Sequence, residues 1–197
     1  MKDAMHEIIQ FGPYQWRVLA TDGRKKLLLS DAVLERRPYH NPLEAITWEN
    51  CILRRYLNEC FINKFDVADR NRIAEVTIST PDNLWYGTEG GNDTTDRIFL
   101  LSIEEADLYF GDSGDYVYKM RKEWDGKPDA NGYFIYNDYN DNRVAYYQGA
   151  ASWWWLRSPG NLSDTAATVN NAGRINVSGG DYVSAAAGVR PALWLNL

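Results

Sequence analysis

Two cysteines and two histidines in 197 residues leave little material for a metal centre, a disulfide framework or a histidine-dependent active site. Cys51 and Cys60 both fall in the segment Thr47–Phe61, which its spacing predicts as a single helix. Nine residues along a helix is roughly 13 Å of rise and about half a turn out of phase, too far for a disulfide. The spacing fits no zinc motif, and His6 and His40 are the only imidazoles. Both thiols are therefore expected to be buried, reduced and structural. No apolar run approaches the ~18 residues of a membrane span, and the segment Met1–Glu7 lacks the apolar stretch of a secretory signal. A cytoplasmic protein is expected. A net charge of −6 gives no basic face for nucleic acid.

A more selective absence lies near the C-terminus. The 29 residues from Gly160 to Gly188 contain no Lys, Glu, Gln, Met or Trp, although the other 168 residues contain 31 of them. At that rate the window would hold about five. Turn-forming Gly, Ser, Asn and Asp displace Lys and Glu from loops for ordinary conformational reasons. That is the ordinary reading of the absence.

What is present suits one α+β domain over residues 1–197. The length is sufficient to bury a core without disulfide or metal staples. Tyr14, Trp16 and Val18 alternate with polar residues at the period of a strand. Asp22-Gly23 marks a hairpin turn, and Leu27-Leu28-Leu29 reads as the returning strand. Thr47 is placed to cap the helix Trp48–Phe61, whose apolar face is Leu53, Tyr56, Leu57, Cys60 and Phe61. A short helix is expected over Asp66–Ile73, and strands over Val76–Ser79 and Arg97–Leu101, with a loop over residues 81–95. Ser102 and Glu105 form a capping box that opens a helix over Ile103–Phe110. Residues 111–149 show no clear period. Beyond Arg157, Val169, Ile175, Val177, Val183, Val189 and Leu193 are expected to be buried points of short strands. Alternation places Arg174, Asn176 and Ser178 on the opposite, solvent face, with Asp181 and Tyr182 also exposed. Ala192–Leu195 reads as a closing strand beside the N-terminal hairpin. The architecture expected is two helices packed on a small, mostly antiparallel sheet with a loop-rich C-terminal half.

Several of these pieces carry a resemblance. They are Gly12-Pro13-Tyr14-Gln15-Trp16-Arg17-Val18-Leu19; Thr47-Trp48-Glu49 with Leu53-Arg54 and Tyr56-Leu57-Asn58; and Phe99-Leu100-Leu101-Ser102 with Glu105-Ala106. Trp154-Trp155-Leu156-Arg157-Ser158-Pro159-Gly160 pairs with Gly188-Val189-Arg190-Pro191-Ala192-Leu193. Together, over nearly the whole chain, they resemble a bacterial and phage domain with a C-type-lectin-like fold, akin in architecture to the formylglycine-generating-enzyme group. Some of its members are the variable target proteins of diversity-generating retroelements. In those proteins a reverse transcriptase misreads template adenines, most often in Asn codons ending in C or T. Altering the first two bases of such codons gives fifteen residue types and excludes Lys, Glu, Gln, Met and Trp, the set missing from Gly160–Gly188.

The resemblance implies a diversified ligand-binding surface within residues 153–197, on a cytoplasmic or phage-associated protein that recognises a protein or cell-surface target. The candidate display positions are Asn161, Ser163, Asp164, Thr165, Thr168, Asn170, Asn171, Arg174, Asn176, Ser178, Asp181, Tyr182, Ser184, Ala185 and Ala186. Adaptable polar groups around an aromatic anchor, here Tyr182, are the chemistry of antibody paratopes. Trp153, Trp154 and Trp155 read as packing at a corner in preference to a sugar platform. Arg157 and Arg190 are expected to pair with carboxylates or carbonyls and to brace the display loop.

The Asp-rich runs Asp112–Asp115 and Asn137–Asn142 offer hard oxygen ligands, but neither has the spacing of an EF-hand. No metal or cofactor is expected. The formylglycine-generating chemistry requires a C-terminal pair of cysteines, and no cysteine follows Cys60. No catalytic residue is therefore assigned. An invariant lectin-like or structural binding domain of the same fold is the alternative.

Overall fold

The computed structural model describes residues 7–112, 114, 133–135, 137–179 and 182–197. Its frame is two sheets that interleave the two ends of the chain. In the first, strands β1 (Ile8–Phe11), β2 (Tyr14–Asp22) and β3 (Lys25–Ser30) form an antiparallel meander, and β14 (Ala192–Asn196) adds against β3. The expected hairpin and closing strand are both present. Trp16 faces inward and is fully buried, its indole N–H donating to the Phe11 carbonyl at 2.9 Å. Leu27, Leu28 and Leu29 are all buried, so β3 is covered on both faces.

The second sheet has the order β4-β13-β10-β11-β12-β7. Its strands are β4 (Glu35–Arg37), β7 (Phe134–Ile135), β10 (Trp154–Pro159), β11 (Ala166–Val169), β12 (Ile175–Asn176) and β13 (Ala187–Val189). All its pairings are antiparallel except β10 with β13, which meet at Trp154 and Gly188. Two small ribbons, β5 (Val76–Ile78) with β6 (Thr94–Asp96) and β8 (Ala145–Tyr147) with β9 (Ala150–Ser152), flank these sheets. The helices are short: α1 (Ile52–Glu59), α2 (Val67–Arg72), α3 (Ile103–Asp107) and α4 (Asn140–Arg143). The chain is thus α+β with more sheet than helix. Among the described residues no helix is long and apolar enough to cross a membrane.

Local signals were good guides where a hydrogen bond closes within a few residues. Ser102 and Glu105 form the capping box of α3, and Asp66 caps α2 by accepting from Asp69 N–H at 2.8 Å. The expected helix Thr47–Phe61 is instead divided. Trp48–Asn50 is a 3-10 turn, and the helix restarts after Cys51, whose sulfur accepts from Arg54 N–H at 3.3 Å. A continuous helix would bond Leu53 N–H to the Glu49 carbonyl. Here Leu53 N–H goes to the Tyr39 carbonyl and Arg54 Nη1 takes the Glu49 carbonyl.

The expected strand Arg97–Leu101 forms no sheet; the strand is the preceding segment, β6. Side chains and single bridges serve the buried backbone in place of a ladder. Asn58 Nδ2 donates to Ile98 O, Phe99 exchanges both bonds with Ala192, and Arg157 Nη1 donates to Leu100 O.

Cys51 is buried as expected, but Cys60, at the end of α1, is exposed. Burial pushes the Cys51 thiol up to about 12, which removes the thiolate that attacks disulfide reagents. Native protein is therefore expected to release one equivalent of thionitrobenzoate from Ellman's reagent rapidly, and the second only on unfolding. Rapid reaction of both thiols in native protein would contradict this packing.

Candidate ligand-binding surface

The C-terminal motifs build a rigid floor. Every residue of β10 is buried. Trp154 and Trp155 fix it by donating their indole N–H groups to the carbonyls of Arg143 (3.2 Å) and Arg37 (3.0 Å). Arg157 is only 4 % exposed. Its guanidinium bonds to the Leu100 carbonyl (2.7 Å), the Ser79 carbonyl (2.9 Å) and the carboxylate of Glu105. Tyr39 O–H donates to the carbonyl of Arg157 at 2.9 Å.

Arg190 is fully buried and donates to the carbonyls of Ser30 (2.9 Å) and Asp31 (3.2 Å). Its cation lies 5.0 Å from the Trp154 ring and 5.6 Å from that of Phe110. Burial, and after it the charge of Arg17, push the guanidinium down to about 9 against the pull of Asp31. Both arginines thus pair with carboxylates or carbonyls. Arg190 does so at the base of the N-terminal hairpin and braces no loop of the display segment.

The fifteen candidate display residues divide sharply. Asn161, Ser163, Asn171, Arg174, Tyr182, Ser184 and Ala186 are exposed, while Asp164, Asn170 and Ala185 are half-buried. Asp181 lies outside the described residues. Thr165, Thr168, Asn176 and Ser178 are buried, at 7, 2, 6 and 5 % exposure, and cannot face a ligand. The Thr165 hydroxyl closes the turn 162–165, accepting from Leu162 N–H and donating to Leu162 O. Thr168 is enclosed between Trp155 on one neighbouring strand and Asn176 on the other. Asn176 Oδ1 accepts from both the N–H and the hydroxyl of Ser178, and Ser178 Oγ accepts from Tyr133 N–H.

Strand alternation correctly turned Val169, Ile175 and Val177 inward, with Val183, Val189 and Leu193 buried as well. It failed for Asn176 and Ser178 because this sheet is covered on its second face too. The segment after β12 is tied by Val177 N–H to the Tyr133 carbonyl and by Asn83, whose amide donates to the Pro159 and Val177 carbonyls.

This division has a measurable consequence. Asn176→Ala leaves two buried donors of Ser178 without their acceptor and is expected to cost about 1–3 kcal/mol. Arg174→Ala on the exposed edge should stay within about 0.5 kcal/mol. Urea denaturation of the two variants would show the contrast, and equal stabilities would remove the distinction between frame and surface.

The exposed positions form two groups, one at each end of β11. The turn after β11 is closed by Asn170, whose Oδ1 accepts from the N–H groups of Ala172 and Arg174, both at 3.0 Å. Gly173 sits in it at φ 75°, where an added Cβ would lie 1.8 Å from the Asn140 carbonyl oxygen. No side chain fits there.

At the other end, residues 161–164 and 182–186 are held together by Val183 N–H donating to Asp164 O at 3.0 Å and by the bridge between Thr165 and Tyr182. The loop after β4 is tied to the same group. His40 N–H donates to Val183 O, and Ile46 N–H to Ser163 O, each at 2.9 Å. Three large apolar side chains stand out from these segments: Leu43 at 49 %, Leu162 at 54 % and Tyr182 at 52 % exposure. A groove of about 420 Å³ is lined by residues 45–47, Asn50, Thr88-Glu89 and Ser163, the last next to Leu162 in the chain.

The exposure of Tyr182 was legible in the sequence. Leu162 lies inside the unusual window, but an apolar residue gives no sign of exposure among strand residues that are buried. Leu43 gave no signal, since its place beside the window is made by hydrogen bonds more than a hundred residues apart.

The second Asp-rich run is used internally. Asn137 and Asn140 turn their Oδ1 atoms to Arg143 Nη2, each at 2.7 Å, and Arg143 Nε donates to the Gly173 carbonyl at 2.8 Å. A guanidinium therefore takes oxygens that a calcium ion would need. The run Asp112–Asp115 lies largely outside the described residues. Among the described residues no three His, Cys, Asp or Glu side chains converge as a metal site.

No curated protein and no solved structure matches the chain. The family described as Domain of unknown function (DUF6273) matches residues 23–197, and the chain belongs to it.

Proposed function

We propose that this DUF6273 member is a non-enzymatic ligand-binding protein whose surface within residues 161–186 is diversified by a retroelement on a C-type-lectin-like scaffold. Its target is a protein or a cell surface, and its setting the cytoplasm or a phage particle. The observation that carries the reading is the absence of Lys, Glu, Gln, Met and Trp from Gly160–Gly188, the set that adenine-directed change of Asn codons cannot produce. The division of the window supports it. The exposed positions lie on turns over a frame held by Trp154, Trp155 and Arg157, so their side chains can change without disturbing the core.

A second reading, an invariant binding domain of the same fold, draws on Thr165, Thr168, Asn176 and Ser178. These four buried positions accept few residue types, so diversification is expected to spare them or to be confined to small polar residues there. The coding DNA separates the readings: a near-copy of the 3′ coding segment with adenines at the exposed positions, beside a reverse-transcriptase gene, is expected.

Folding gives a second test. Simultaneous replacement of Asn161, Ser163, Asn171, Arg174, Tyr182 and Ser184 by other small or polar residues should leave the chain folded, because each exposed change stays within about 0.5 kcal/mol and all of them together within about 3 kcal/mol, less than a typical domain holds. Collapse of that variant would overturn the display reading.

A further inference from the structure

We propose that the face around Leu43, Leu162 and Tyr182 takes a protein segment that presents an apolar side chain next to a lysine or arginine. Glu44 and Glu89, outside the diversified window, supply the acidic half of the contact. This rests on the display reading and names its ligand class.

Two independent properties of the face lead there. The first is apolar. Leu43, Leu162 and Tyr182 are each about half exposed, on three segments joined by the bonds of His40 to Val183 and Ile46 to Ser163. Large exposed apolar side chains on neighbouring segments mark an interaction site, and a backbone tied at each junction needs little ordering on binding.

The second property is charge. Glu44, Glu89 and the half-buried Asp164 border the groove or adjoin its lining, and among the described residues no lysine or arginine lines it. Arg36 reaches this region only at the far end of the segment, where it donates to the Ala186 carbonyl. Glu44 is met by His40 Nε2 at 3.0 Å, while His40 Nδ1 accepts from Ile52 N–H. Glu89 has no ion-pair partner among the described residues. An acidic ligand would be repelled, a purely apolar one would leave these carboxylates facing it, and a cation beside an apolar group complements both.

Adenine-directed change of Asn codons gives Asp and Arg but neither Lys nor Glu, so the display residues can tune charge as well as apolar and hydrogen-bonding contacts. Glu44 and Glu89 lie outside the window and supply acidic charge that does not vary with it.

The test is selection of random peptides displayed on phage against the purified full chain, repeated on Glu44→Gln/Glu89→Gln and on Leu162→Ser/Tyr182→Ser, with each variant's folding checked by thermal melt. Enriched peptides are expected to carry Lys or Arg beside Leu, Phe, Tyr or Trp. They should bind the glutamine variant about five- to tenfold more weakly, lose affinity as salt is raised, and fail on the serine variant. Peptides without a cationic excess, or indifferent to Glu44 and Glu89, would overturn the charge assignment while leaving the display reading intact if Leu162 and Tyr182 still matter. Peptides that need Glu44 and Glu89 but ignore Leu162 and Tyr182 would overturn the display reading and leave the acidic groove. Failure to enrich any peptide would overturn the proposal as a whole.

Discussion

Replacing Arg157 with methionine is expected to cost up to about 3–5 kcal/mol, the result of removing one member of a buried, hydrogen-bonded charge pair, with water reaching part of the quarter-exposed Glu105 carboxylate. Methionine fills much of the volume but donates nothing. It would strand the Ser79 and Leu100 carbonyls and leave the Glu105 carboxylate with only its helix-capping bond from Ser102 N–H. The loss therefore spreads from β10 to the loop before α3 and to the capping box. Arg157→Lys keeps a charge but replaces a planar fork by a single point, so it should recover part of the loss. Guanidinium denaturation of the two variants measures both effects. If the methionine variant matched the parent, the guanidinium would be a bystander and the paired C-terminal motifs would lose their structural meaning.

Trp155→Ala is expected to have an effect of similar size, about 3–5 kcal/mol, by opening a cavity in the core. The indole packs edge-on against Tyr39, with ring centres 5.7 Å apart, and against Trp153 at 5.3 Å, while its N–H holds the Arg37 carbonyl. Its removal therefore loosens β4 together with the floor of the display surface. Trp155→Phe keeps an aromatic ring but loses the hydrogen bond, and should fall between the parent and the alanine variant. Typical domains hold about 5–15 kcal/mol in all, so the alanine variant should melt far earlier and lose near-ultraviolet dichroism. An alanine variant that melts normally, beside a display variant that unfolds, would mean that frame and surface had been assigned the wrong way round.

The amino-acid sequence by itself determined those features whose physics is local or periodic. The hairpin of β2 and β3 is set by alternation around Trp16 and a glycine turn. The start of α3 is set by Ser102 and Glu105, three residues apart, and the inward side chains after Arg157 by period-two spacing. The depletion that singles out Gly160–Gly188 is likewise a property of composition. Tertiary structure decided the rest. Cys51, and not Thr47, became the cap of α1 because Leu53 N–H is taken by the Tyr39 carbonyl. Asn176 and Ser178 went inside, where Asn83 takes the Val177 carbonyl and Tyr133 N–H the Ser178 hydroxyl, bonds spanning 94 and 45 positions of the chain. The segment that carries Leu43 was joined to those of Leu162 and Tyr182 for the same kind of reason, through the bonds of His40 and Ile46 to Val183 and Ser163. A strand's alternation specifies two faces but not how many of them the rest of the chain will cover. That is settled only when segments remote in sequence find donors and acceptors left over by the sheet, because a buried polar group must be paired wherever its partner lies along the chain.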